Sequence, residues 1–268
     1  MRIDIMTLFP DAVDAMMQES ILGRAQSKGI IQIKSWQIRD YTTNKQNQVD
    51  DYPYGGGHGA ILMADPLYRC WAAICDDVGE PVHTVFLSPC GETFSQAKAK
   101  QLLRDYDNLI LVCGHYEGID QRFLDECVDE EISLGDFVLT GGELPAMAVA
   151  DCICRMVPGV LSDPECFEME SHWDGLLEHP QFTRPEIWHD RAVPSLILSG
   201  DHALVDRWRK KQSILRTLHR RPDMFASLRL PSKSRGEKKF IAELEAEDPE
   251  FGPAYRKNLE QERKEKDS

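Results

Sequence analysis

Residues 133–146 read SLGDFVLTGGELPA. The stretch opens where a short apolar strand ends, passes Gly135, and meets the pair Gly141 and Gly142 before a helical run from about Leu144 to Val157. Pro158 and Gly159 stop that helix. Glycine at a strand end permits positive φ and a close approach of backbone to a ligand. Two earlier segments have the same form, LSPCG at 87–91 and CGHYEGIDQR at 113–122. Working outward, Ile3–Leu8, Ile31–Trp36, Thr84–Leu87 and Leu109–Cys113 read as strands, and their near-continuous apolarity predicts parallel strands covered on both faces. The first helix starts with Pro10 at its first position and Asp11 in its first turn. It places Val13, Met16, Met17 and Ile21 on one face before Gly29. This alternation predicts an α/β layer protein, with ligands beyond the carboxyl ends of the strands.

What the glycines hold is narrowed by exclusion. None of the segments matches G-x-x-x-x-G-K-[ST], and none is a G-x-G-x-x-G opening a helix with an acidic partner downstream. Phosphate-loop and dinucleotide readings therefore fail. YGGGHG at 54–59 follows Asp50 and Asp51 and brings no lysine, so it reads as a flexible substrate-side loop. Any one segment is explained equally well by a tight turn; jointly they predict a crevice that holds a flat heterocycle through backbone groups.

With 268 residues, 42% of them hydrophobic, the chain can bury one good core and attach a second, smaller domain. A net charge of -14 opposes indiscriminate binding to nucleic acid. From Leu204 to Phe240, however, twelve Lys and Arg face three Asp and Glu, a local balance of +9. A solvated helical face would also produce this, but a basic patch on an acidic protein suits a site-specific RNA binder. Within it, Leu204, Trp208, Ile214, Leu215 and Leu218 give Asp201–Arg221 helical period. Residues 161–175, LSDPECFEMESHWDG, have no period and read as a linker or lid. Residues 243–268 alternate Glu with Lys and Arg and read as an exposed charged tail, partly helical at best. The predicted layout is thus 1–160, a linker at 161–175, a helical domain at 176–242 and the tail. Eight cysteines without a C-x-x-C pair give neither a zinc framework nor a dithiol motif, and they fit a reducing compartment. The absence of a cleavable leader or a long apolar run predicts a cytoplasmic protein with no membrane association.

The words LFP near residue 8, GR at 23, DD with YGGG from 50, LSPCG, LVCGHYEGID and SLGDFVLTGGELPA stand in a familiar order. So do PGVL at 158, DGLLEHPQFTRPE from 174, LSGDH from 198 and RWRKKQS. From Met1 to about Arg221 the chain resembles the bacterial tRNA (guanine-N1)-methyltransferases of the SPOUT class. The resemblance implies a fold that composition does not reach: a trefoil-knotted parallel-sheet domain followed by a small helical C-terminal domain. Such a knot is an exception to unknotted topology. It also implies a homodimer with sites at the subunit interface, S-adenosylmethionine held in the knot, tRNA as substrate, and a Mg²⁺ ion for which no site can be named. Carried across, the cofactor-binding positions are Leu87, Ser88, Pro89 and Gly91; Gly114, Tyr116 and Glu117; and Leu134, Gly135, Asp136, Phe137, Val138, Leu139, Gly141, Gly142 and Pro145. Asp50, Arg207, Arg209, Lys210 and Lys211 fall to RNA binding.

The same resemblance implies Arg155 and Glu170 as the catalytic pair. Here the family's Asp-Ser-Phe stands as Glu170, Ser171 and His172, a carboxylate with one extra methylene. Guanine N1 carries a proton at neutral pH, so a base must remove it, and a cation near O6 stabilises the anion that forms. On residues alone, Arg155 is equally explained by the dipole of the helix it ends. Glu168 and Asp174 share the linker and could supply the base, and His115 and His172 read as bystanders. The expected activity is methylation of guanosine 37, just 3′ of the anticodon. The rival readings are a ribose 2′-O methyltransferase of the same class, an inactive RNA-binding homologue, and a metabolic nucleotide-binding enzyme, which the basic 204–240 segment disfavours.

Overall fold

The computed structural model describes residues 1–163, 165–232 and 234–267. The chain divides into two compact units, Met1–Pro164 and Glu165–Ser268.

In the first unit, chain order runs β1 (Arg2–Thr7), α1 (Pro10–Met17), α2 (Ser20–Ser27), β2 (Gln32–Gln37), the short strands β3 (Asp50–Asp51) and β4 (Ile61–Leu62), and α3 (Ala64–Val78). It continues with β5 (His83–Thr93), α4 (Gln96–Asp105), β6 (Asn108–Cys113), α5 (Gln121–Cys127), β7 (Glu130–Ser133) and α6 (Glu143–Cys154). Five strands form one sheet in the order β2-β1-β6-β5-β7, with every pairing parallel. β3 and β4 pair antiparallel on their own. Ile3–Thr7 of β1 and Leu109–Cys113 of β6 are buried on both faces, which is why these runs are not alternating. Asp4 sits fully buried among them and keeps its charge compensated: Arg2 donates to it at 2.7 and 2.9 Å and the Trp36 indole at 2.7 Å.

Two expectations are corrected here. The first helix is two: α1 stops at Met17, Ser20 turns at φ 52°, and α2 restarts. The break is tight, because a β-carbon on Gly23 would lie 1.8 Å from the Gln18 carbonyl oxygen. Only Val13 and Met17 of the expected apolar face are buried; Met16 and Ile21 are exposed. β5 is also longer than Thr84–Leu87. It pairs with β7 at Leu87 and again at Glu92, both opposite Ile132, so residues 88–91 leave the ladder as an excursion between the two contacts.

The second unit holds α7 (Glu165–Glu168), the hairpin of β8 (Ile187–Trp188) and β9 (Arg191–Ala192), α8 (His202–Arg220), α9 (Pro222–Ser227), α10 (Arg235–Glu247) and α11 (Phe251–Asp267). Asp201 caps α8, and Ser234 with Glu237 makes a capping box on α10. Ile214, Leu218, Phe225, Leu244, Phe251 and Tyr255 meet in one core. The charged-tail reading of 243–268 is therefore wrong for most of that stretch. Within it Phe251, Tyr255 and Asn258 fall at helical spacing and are buried, and Asn258 donates to the Phe225 carbonyl at 2.6 Å. Phe251 stacks on Tyr255 at 5.5 Å and meets Phe225 edge-on at 5.9 Å.

Phe251→Ala is expected to cost the second unit about 3–5 kcal/mol, while Lys264→Ala on the exposed side of α11 changes stability by under ~0.5 kcal/mol. Urea unfolding of the two variants against the parent measures both.

Candidate active site

β6, β5 and β7 lie side by side and parallel, so their carboxyl ends open at one edge of the sheet. The segments following them converge there on a cavity of about 190 Å³. β5 contributes Phe86, Leu87, Ser88 and Pro89, β6 leads into Gly114–Gly118, and β7 supplies Ile132, Ser133 and the loop that runs to Pro145. Ser88 is buried and its Oγ accepts the Cys90 N–H at 3.1 Å, which shapes the excursion. Phe137, Val138 and Leu139 form an exposed apolar lip.

Two loops are joined at the back. Gly142 N–H donates to the Gly114 carbonyl at 2.8 Å, and His115 and Gly141 pair as an antiparallel bridge. A β-carbon on Gly142 would sit 2.6 Å from Cys113 Cα, so no side chain fits at this crossing. Burial pushes the Cys113 thiol beneath it far above the usual thiol range and leaves it inert. On the open side, Glu117 N–H donates to the Ala60 carbonyl at 3.0 Å, which puts the 54–59 loop beside the cavity. The Tyr116 hydroxyl accepts from Arg39 at 3.0 Å.

Of the positions singled out from sequence, Leu87, Ser88, Pro89, Gly114, Tyr116, Glu117, Leu134, Phe137, Val138, Leu139, Gly141, Gly142 and Pro145 line the cavity. Gly91, Gly135 and Asp136 do not. Gly91 is a packing glycine: its β-carbon would lie 2.3 Å from the Glu131 backbone in the β5–β7 ladder. Gly135 turns the loop at φ 147°, and Asp136 is exposed. His115, read as a bystander, lines the cavity, as do Phe86, Gly118, Ile132, Ser133 and Thr140. Phe86 and Ile132 end apolar runs in which sequence cannot separate one face from the other. His115 and Gly118 were within reach, because they lie inside CGHYEGIDQR.

Arg155 is the C-cap of α6 and belongs to the first unit; Glu170 is half-buried in the second. Around Glu170 a groove of about 210 Å³ is lined by Glu168, Asp174, His179, Arg209 and Lys210 among others. Asp174 is engaged by Lys210 at 3.0 Å. Asp50 pairs with Leu62 in the β3–β4 hairpin. The four cations assigned to RNA on α8 all have acidic neighbours: Arg207 with Glu243 through two 3.0 Å bonds, Arg209 with Asp206 at 3.1 Å, Lys210 with Asp174, and Lys211 with Glu247 at 2.6 Å. The local excess of positive charge is thus partly offset by three acids that lie outside 204–240: Asp174, Glu243 and Glu247. Among the described residues no group of three or more His, Cys, Asp or Glu is placed to hold a metal ion, so the implied Mg²⁺ gains no site. Among them, too, no helix is long and apolar enough to cross a membrane.

Comparison with known proteins bears directly on this geometry. A family model described as tRNA (Guanine-1)-methyltransferase TrmD matches residues 1–227. The chain belongs to this family. A tRNA (guanine-N(1)-)-methyltransferase of Ruminiclostridium cellulolyticum is 47% identical over 234 residues, covering 87% of this chain and 99% of that protein. One of Alkaliphilus metalliredigens is 48% identical over 246 residues, 91% of this chain and 98% of its own length. A third, of Dehalococcoides mccartyi, is 44% identical over 248 residues, 92% and 98% of the two chains. The matched span takes in all of the cavity and, in the second unit, Glu170 and α8.

Two outcomes are expected. Gly142→Ala should destabilise the first unit by about 1–3 kcal/mol, because its methyl group meets backbone and not a flexible side chain; thermal melting reads this. The Arg207 hydrogen bond holds the Glu243 carboxyl below its ordinary value of 4.5. A depressed folded-state value stabilises above the unfolded value and is lost as pH falls through the folded one. The second unit should therefore keep this small contribution, under about 1 kcal/mol, above about pH 5 and lose it on further acidification, a change that Glu243→Gln removes. Urea unfolding across pH measures the difference.

Proposed function

We propose that this chain is an S-adenosylmethionine-dependent tRNA methyltransferase acting on N1 of guanosine 37, the nucleoside 3′ of the anticodon. One observation carries the reading within the family: the cavity is lined mainly by apolar side chains and backbone, and among the described residues Glu117 is its lone carboxylate and no Lys or Arg lines it. That lining fits a flat, cationic sulfonium ligand and disfavours a phosphate-bearing nucleotide. Gly141 and Gly142 bring backbone and no side chain to that wall of the cavity. We read the crossing of Gly142 against Cys113 and Gly114 as part of a trefoil knot, and the enzyme as a cytoplasmic homodimer with shared sites.

When bound, the cofactor supplies an electrophilic methyl group. The residues lining the cavity hold it and exclude water. Glu170 accepts the N1 proton of guanine, and Arg155 stabilises the negative charge that spreads toward O6. The cations of α8 grip tRNA phosphates by sharing or exchanging their acidic partners, so binding falls as salt rises.

Incubation of the full chain with unmodified tRNA and labelled S-adenosylmethionine, followed by mapping of the modified base, tests the reading. Methyl at N1 of guanosine 37 is expected; label on a ribose 2′-oxygen, or none, overturns it. Glu170→Gln should lower single-turnover methylation about 10²- to 10⁴-fold with both ligands still bound. Glu168→Gln and Asp174→Asn should stay near the parental rate.

A further inference from the structure

Behind Gly141 two polar atoms face the same space. A β-carbon on Gly141 would lie 2.4 Å from Glu143 Oε2 and 2.8 Å from His115 Nδ1. The carboxylate is fixed from its other side, since Thr7 Oγ1 donates to Glu143 Oε1 at 2.8 Å while accepting the Phe9 N–H at 2.9 Å. The imidazole is also held in place. Phe9 meets its ring edge-on at 5.2 Å and Tyr116 at 4.9 Å, and the His115 backbone bridges to Gly141. Yet Nδ1 is buried and has no hydrogen-bond partner. A buried ring nitrogen left unpaired is costly and calls for an explanation. Here a carboxylate oxygen faces it across a residue that has no side chain.

We infer that His115 is a positioning residue of this site: when the cavity fills, its Nδ1–H donates to Glu143 Oε2 and clamps the loop after β6 to the entrance of α6. The clamp draws together Thr7 at the end of β1, His115 after β6 and Glu143 in the first turn of α6. Gly141 is the hinge, because only a residue without a β-carbon lets the two atoms close. His115, Gly141 and Gly142 all line the cavity, so an occupant pressing on this loop bears on the gap itself. A bond to a charged acceptor that forms with the ligand adds its strength to the ligand's affinity. The inference rests on the cavity being the S-adenosylmethionine site.

Calorimetric titration of S-adenosylmethionine into the full chain tests it, alongside nitrogen NMR of the labelled histidine ring. His115→Phe keeps the ring packing against Phe9 and should weaken binding about tenfold or more at an unchanged melting temperature. His115→Asn returns an N–H to the position of Nδ1 and should restore affinity to within about threefold of the parent. In the parental complex, saturation should show His115 protonated at Nδ1. A parent that does not bind takes the cofactor reading down and the clamp with it. A parent that binds while His115→Phe binds equally well, with Nδ1 unprotonated in the complex, overturns the clamp alone. Should His115→Phe not fold, the ring's protonation in the parental complex decides by itself.

Discussion

Gly142 N–H reaches the Gly114 carbonyl at 2.8 Å across a gap in which a β-carbon would stand 2.6 Å from Cys113 Cα. The first unit depends on this crossing. It pins the chain entering α6 against the end of β6, the strand at the centre of the sheet. The loop after β7 must then pass over the ends of β5 and β6, and the cavity is what that passage encloses. Gly91, packed against Glu131 in the neighbouring ladder, returns β5 to β7 and so sets how far residues 88–91 reach out. Backbone contact at both places explains why glycine is needed where a larger residue would give more apolar burial.

The cavity's chemistry follows from what those loops carry. Its walls are backbone, small residues, aliphatic side chains and rings, and among the described residues a single carboxylate and no Lys or Arg line it. A flat cation would meet a carboxylate partner in such a space, whereas a phosphate would be stripped of water with no partner. The buried polar groups nearby are handled by pairing. Asp4 is answered by Arg2 and Trp36, and Glu143 by Thr7, which leaves His115 Nδ1 as the group whose pairing stays open.

In the second unit the same acids both build the structure and temper its charge. α8 sets Arg207 and Lys211, one turn apart, against Glu243 and Glu247 from α10, while its Ile214 and Leu218 pack with Phe225, Leu244 and Phe251. Surface ion pairs of this kind contribute little to stability. They hold the long side chains of Arg207 and Lys211 against α10.

The sequence by itself determined the α/β class, four of the five strands of the central sheet, the three glycine-bearing segments and, through the order of its motifs, the family. These are legible because strand burial and turn chemistry are local properties of a few consecutive residues. It determined much of the cavity lining too, since each segment carries its own glycines. Only the tertiary structure decided that Gly91 packs where Gly142 lines, that His115 and Phe86 face the cavity, and that the first helix breaks at Ser20. It alone showed that 251–267 is a packed helix and not a tail. The physical reason is the same in each case: the deciding partner is far away in the chain. Glu131 answers Gly91, Cys113 answers Gly142, Phe225 answers Phe251, and Glu243 answers Arg207. Distance along a sequence carries no information about such contacts until the backbone has folded to make them.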